Sequence, residues 1–304
     1  MKKSVLIFIL FTISSTASFT CEICGCGVGN FYMGLLPNFK TRFVGVRYSF
    51  LNYHTALAKD PGQYSNDYYK TTELWSGWNI GNRWQVLAFV PYRSNKKVSD
   101  DGTKTMNGLG DISLLANYKL LHTRKMKASN KTVEQQLWVG AGIKMATGAY
   151  HVDLADPDAN IGDANSQAGT GSTDVLLNTI YQLTVQKIGF NTSVNYKLNT
   201  ANTDHYRFGN RLTINSLAFY RIRFAGIAVS PNAGVLYENS AGNYYQNEKV
   251  DQTGGYLLNA SLGAEINFNK ITMGVNTQLP ISQNFAEGQT VSKSRGVLHI
   301  SFAL

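Results

Sequence analysis

From residue 44 onward, apolar and polar side chains alternate one by one in segment after segment. That period fits an extended strand with one apolar and one polar face, since successive side chains of a strand point to opposite sides. In the clearest segment, Tyr256, Leu258, Ala260, Leu262, Ala264, Ile266 and Phe268 share one face. Asn259, Ser261, Gly263, Glu265 and Asn267 share the other, with Leu257 out of pattern. Asn269-Lys270 then makes a tight turn, and Ile271, Met273, Val275, Thr277 and Leu279 alternate with Thr272, Gly274, Asn276 and Gln278. The same reading covers 44–50, 111–120 (Leu115 out of pattern), 137–145 and 188–198. Weaker versions lie at 71–80, 84–92, 174–183, 209–220, 226–237 and 297–304. The sum is about twelve strands, most near the 9–11 residues that a tilted membrane strand requires.

A soluble sheet with this pattern needs a second layer over its apolar face, and no segment has the helical period to provide one. Composition narrows the choice further. Apolar residues make up 43% and charged residues 15%, which excludes a disordered or densely charged chain. After the N-terminus no run approaches the ~20 apolar residues of a membrane helix. The connections alternate in length: 81–82, 185–187, 221–223 and 269–270 are short, whereas 53–67, 93–107, 147–172, 238–253 and 281–294 are long and polar. Links 122–133 and 199–205 break the rule. Trp78, Trp84, Tyr92, Tyr118, Tyr181, Tyr196, Tyr220, Tyr237 and Tyr256 stand near strand ends on the apolar side. Short turns on one side, long loops on the other and aromatic girdles describe an outer-membrane barrel. The expected fold is therefore an all-β, antiparallel transmembrane β-barrel of about twelve strands over 41–304.

The charged residues of the alternating segments fall on the polar face: Arg47, Glu73, Asp111, Lys119, Lys144, Asp174, Lys197, Arg211 and Glu265. Both signs occur, so these side chains can pair inside a lumen and avoid lipid, where a charge at midplane costs about 2–4 kcal/mol. Overall, 28 Lys+Arg against 19 Asp+Glu gives +9, falling to +7 once Lys2 and Lys3 are removed. The basic residues are dispersed, so no nucleic-acid footprint is present. Outer-membrane lipid, the barrel assembly machinery and a small solute are the expected partners.

Lys2 and Lys3, the apolar run from Val5 to Ile13 and the small residues Ser14–Ser18 have the layout of a secretory signal peptide over 1–18. Residues 19–40 follow as a Cys-containing segment, expected to be a lumenal plug or a periplasmic tether. Cys21, Cys24 and Cys26 allow three readings. Neighbouring thiolates can hold a soft ion such as Cu(I) or Zn. Two of the three can form a disulfide in an oxidising compartment, and Cys21 can carry lipid. No other cofactor is expected. In the 147–170 link, which also carries His151, the carboxylates of Asp153, Asp156, Asp158 and Asp163 offer oxygen ligands for Ca²⁺, without the spacing of an EF-hand.

Gly108-Leu109-Gly110-Asp111-Ile112 opens a strand. Ala146-Thr147-Gly148 is followed, after a loop, by Gly169-Thr170-Gly171-Ser172-Thr173-Asp174-Val175. These segments resemble the transporter-like barrels grouped under the meta-pathway of phenol degradation, distant relatives of the fatty acid transporter fold. The resemblance covers roughly 40–304 and leaves out the cysteine segment. It implies passage of a hydrophobic compound or another small solute through the outer membrane. The alternative is a barrel that anchors a periplasmic metal-binding or sensing segment built on the cysteines. Catalysis is not expected: the chain lacks a Gly-x-Ser-x-Gly elbow and a phosphate-cradling loop. Leu298, Ile300, Phe302 and Leu304 alternate in the manner of the terminal strand that barrel assembly recognises. Deleting residues 302–304 is expected to leave the protein in the periplasm for proteolysis. Unchanged outer-membrane levels on an immunoblot would contradict that role.

Overall fold

A strand buried in lipid leaves no backbone N–H or C=O unpaired, and a sheet meets that demand only by closing on itself. The computed structural model shows this closure. It describes residues 42–57, 60–100, 102–126, 131–151 and 161–304, with the side chains of 57, 60–63 and 161–163 left aside. In chain order the strands are β1 (Phe43–Leu57), β2 (Asp60–Ile80), β3 (Trp84–Ser99), β4 (Gly102–Leu109), β5 (Ser113–Met126) and β6 (Thr132–Lys144). After a short 3-10 helix (Ile161–Ser166) come β7 (Asp174–Val185), β8 (Ile188–Leu198), β9 (Tyr206–Arg207), β10 (Arg211–Tyr220), β11 (Ile222–Phe224) and β12 (Ile227–Ser240). The last are β13 (Tyr244–Tyr245), β14 (Glu248–Lys249), β15 (Gly255–Phe268), β16 (Ile271–Phe285) and β17 (Thr290–Ala303).

Twelve of these form the wall, in the order β1, β2, β3, β5, β6, β7, β8, β10, β12, β15, β16, β17, each antiparallel to its neighbours. The ring closes where β1 pairs with β17, from Phe43 opposite Ala303 to Thr55 opposite Thr290. Each expected segment maps to one wall strand. The expected boundaries were too short, however. The link taken as a long loop at 53–67 continues the ladder of β1 with β2, and 281–294 continues those of β15 with β16 and β1 with β17. The 93–107 link is a hairpin of β3 with β4. These extensions lie beyond the lipid band, where neither face needs to be apolar, so the alternation that marks a membrane strand fades although pairing persists. β2, at 21 residues, is about 70 Å long at 3.3 Å per residue.

The two faces are chemically distinct. Leu262 and Val275 are 56% and 50% exposed on the outer wall, whereas Asn259, Ser261 and Asn276 beside them are buried inside. The residues that broke the alternation have a physical role. Leu115 packs inside with Phe43, Trp75, Leu87, Phe89, Leu176 and Ile180. Leu257 does so with Leu51, Tyr53, Tyr69 and Phe285. Two apolar patches thus narrow an otherwise polar interior. Leu262→Arg and Val275→Arg set a guanidinium against lipid, at about 2–4 kcal/mol each, and are expected to lower the yield of heat-modifiable, folded barrel. Asn191→Arg, which faces the wide cavity at the short-turn end, is expected to fold at wild-type yield. Equal yields for all three would show that the faces are misassigned.

Candidate functional site

The described residues of the link between β6 and β7 do not extend outward as the expected external loop. Residues 145–151 and 161–173 fold back into the barrel mouth, where Ala164, Ala168, Thr170 and Ser172 are fully or almost fully buried. A kink at Gly110–Ile112 makes room for them. There the partner of β3 changes from β4 to β5, and the Gly110 N–H bonds to Pro91 O at 2.8 Å. The close approach of Gly148 to Gly169 requires both glycines, since a Cβ on Gly148 would stand 2.6 Å from Gly169 Cα. On the wall side, Asn95 Nδ2 donates to Ser166 O and Gln167 O at 2.8 and 3.1 Å. Above it, Ala164, Tyr206 and Phe208 pack with Tyr150, Tyr245 and Val250.

One buried node holds this inserted link. Lys144 Nζ donates to Asp111 Oδ2 at 2.7 Å and to Ser172 O at 2.9 Å, bonds Thr170 Oγ1, and lies 2.9 Å from Asp174 Oδ2. Asp111 also accepts the Gly148 and Thr170 N–H groups, each at 3.0 Å. Asp174 Oδ1 accepts the Ser172 hydroxyl and the Thr200 N–H, each at 3.0 Å. Three sequence segments far apart in the chain, around 108–112, 144–148 and 169–175, therefore meet at one ammonium. Buried charges are tolerated only when paired and hydrogen-bonded in this way.

The other sequence-selected charges also point inward. Arg47 pairs with Glu73 across β1 and β2. Glu265 pairs with His299 at 2.9 Å across the intervening β16, where Gly274 leaves the gap that a Cβ would fill. Lys197 and Arg211 stand opposite each other on β8 and β10. Lys119 lies apart from these at the short-turn end, its Nζ 4.6 Å from the Trp138 ring centroid. Sequence reading missed Arg93, Glu238 and Arg295, because all three fell within or beside links taken as loops. Arg295 donates to Glu238 Oε2 and to Tyr53 Oη, each at 2.8 Å. Arg93 is buried with Nε and one terminal nitrogen lacking a protein partner. It lines a cavity of about 70 Å³ together with Arg47, Glu73, Asp111, Lys144 and Arg295.

Toward the short turns the interior opens into a vestibule of about 930 Å³, with Gln85, Lys119, Glu134, Trp138, Ile180 and Asn191 among its walls. Arg124, Lys187, Arg221 and Arg223 stand at its rim. On the inner face of the wall, buried amide atoms of Asn117, Asn178, Asn191, Asn215 and Asn259 have no protein partner. Cys21, Cys24 and Cys26, with the signal and plug readings of 1–40, lie outside the described residues, as do Asp153, Asp156 and Asp158. Among the described residues no three His, Cys, Asp or Glu side chains gather as a metal site.

The comparison with solved structures fits this geometry. An outer membrane channel from Pseudomonas putida F1 superposes with a TM-score of 0.58 at 14% identity, over 91% of this chain and 100% of that one. The two share a fold. The translocator domain of the autotransporter NalP from Neisseria meningitidis gives 0.45 at 13% identity, covering 89% of this chain and 91% of that domain. A Pseudomonas aeruginosa FadL homologue gives 0.36 at 9%, covering 87% and 90%. No family model and no curated protein matches the sequence.

Removing the central cation leaves two carboxylates buried without it. Lys144→Met is expected to destabilise the folded barrel by about 3–5 kcal/mol, read as a lower temperature for loss of the compact band in gel migration. The triple variant with Asp111→Asn and Asp174→Asn is expected to recover part of the loss. An unchanged Lys144→Met transition would mean that the node does not hold the link in place.

Proposed function

We propose that this chain is an outer-membrane channel that passes small solutes and favours anions. The short-turn vestibule faces the periplasm and the inserted stretches 145–151 and 161–173 face the outside. The observation that carries the reading is the chemistry of the interior. A barrel wall that leaves asparagine amides unpartnered by protein suits a passage in which water or solute completes their bonding. The charge balance supplies the preference. In the middle of the barrel Arg47, Arg93, Lys144, Lys197, Arg211 and Arg295 face Glu73, Asp111, Asp174, Glu238 and Glu265, so the cations exceed the carboxylates by one. At the vestibule Lys119, Arg124, Lys187, Arg221 and Arg223 face Glu134 alone. Rings of fixed charge select ions in this way. The shared fold with an outer membrane channel supports the class of protein. The convergence of the three resemblance segments on Lys144 is compatible with membership of the phenol meta-pathway barrels. The interior apolar patches would give a hydrophobic solute a surface to follow.

Planar bilayer recording tests the reading. The folded protein in a potassium chloride gradient is expected to give discrete current steps with a reversal potential of the sign for chloride over potassium. Folded barrel that inserts without current would overturn the channel, and a potassium-favouring reversal potential would overturn the preference.

A further inference from the structure

The vestibule joins two features that a plain water-filled mouth does not need side by side. One is a group of cations with no close anionic partner: Lys187, Arg221 and Arg223 have no carboxylate within ion-pair distance among the described residues, and Glu134 acts on Arg221 only from farther away. The single carboxylate of the space, Glu134, is already engaged by His122 at 3.2 Å and by the Gln136 amide at 2.9 Å. Arg221, in the link between β10 and β11, feels the strain of this arrangement. Burial first, and the neighbouring Arg223 second, lower its pKa from the ordinary value. Two crowded guanidinium groups can each offer a carboxylate, sulfonate or phosphate oxygens a fork of donors.

The second feature is an apolar floor. Trp138 and Ile180 line the space and rest on the interior cluster of Leu115, Leu176 and Leu87. The indole of Trp138 carries Lys119 Nζ over its ring, so that wall is both aromatic and cationic. Trp138 on β6 and Phe219, the last inward residue before Arg221 on β10, are three strand steps apart. Each step is about 4.8 Å, and Arg and Trp side chains both reach inward from the wall. A ligand with its head at the arginines therefore meets the indole with its body. A volume near 930 Å³ is within the range of organic-ligand sites.

We propose that the short-turn vestibule is a binding site for amphipathic organic anions, with the head group between Arg221 and Arg223 and the apolar body against Trp138 and Ile180. This deepens the channel reading and rests on it for where the ligand travels next, although not for the binding itself.

Calorimetry on the folded full chain in lipid nanodiscs, with naphthalene-2-sulfonate as probe, tests it. Saturable binding is expected, at least tenfold tighter than for the neutral naphthalene-2-methanol or for sulfate. Arg221→Gln with Arg223→Gln is expected to weaken the probe by about tenfold to a hundredfold, the range for losing hydrogen bonds to a charged group. Trp138→Leu is expected to weaken the probe and leave sulfate unchanged. Should the double variant fail to fold, Arg223→Gln alone, at the exposed rim, is expected to weaken it about threefold. Equal affinity for the neutral analogue, or wild-type affinity in a folded arginine variant, overturns the site. Current recorded on the same preparation separates the two readings. Current without probe binding overturns the site and leaves the channel, whereas probe binding without current overturns the channel and leaves the site.

Discussion

Closure of the backbone hydrogen-bond ladder is the constraint on which everything else here depends. In lipid, each unpaired peptide group costs several kcal/mol, so the pairing of β1 with β17 is a condition for the other eleven seams to exist. Closure then fixes which residues can meet. Each strand contributes every second side chain to the interior, and neighbouring strands place those side chains opposite one another. Arg47 beside Glu73 and Lys144 beside Asp174 are such register partners. The ion pairs are consequences of the ladder, and the ladder would close without them.

The interior then has to accommodate what the register delivers. A dozen inward columns in a narrow barrel bring many polar and charged groups together in little water. The chain resolves this unevenly. In the middle and at the loop mouth, most charges are paired and hydrogen-bonded, Arg93 apart, and the described stretches 145–151 and 161–173 fill space with backbone donors that Asp111 accepts. At the short-turn end the space stays open and the cations unmatched. An apolar patch around Leu87 lies between the two, and one around Leu257 lies toward the loop mouth. The division into a packed half and an open half is the basis for reading the open half as the place that receives ligands.

Much of this was legible in the sequence, for a specific reason. Lipid on one side of the wall imposes the alternation, so strand number, faces and the inward direction of Lys144 or Glu265 followed from counting residues. Where lipid stops, the signal stops. Arg93, Glu238 and Arg295 sit on or beside ladder extensions where inward aromatic residues such as Tyr53, Tyr69 and Phe285 break the alternation, so it did not set them apart from loop residues. The inward fold of 145–173 carries no period at all. Its signs were the glycines at 148 and 169 and the Thr-Gly-Ser-Thr-Asp run, which acquire meaning only when Asp111 and Lys144 stand between them. Leu115 and Leu257 looked like faults in the pattern because the sequence does not say which interior positions are crowded enough to favour a hydrocarbon side chain. Arg221 and Arg223 were visible only as a short basic turn.

The anchoring of the inserted link has a further consequence. Both described stretches of the link are bound to the wall, one through Gly148 to Asp111 and the other through Thr170 and Ser172 to Lys144, so these stretches are held like an orifice plate between flanges. The bore at that level is set when the barrel folds. On the channel reading proposed above, what the mouth admits would then be retuned by exchange of the side chains that these stretches present to the bore.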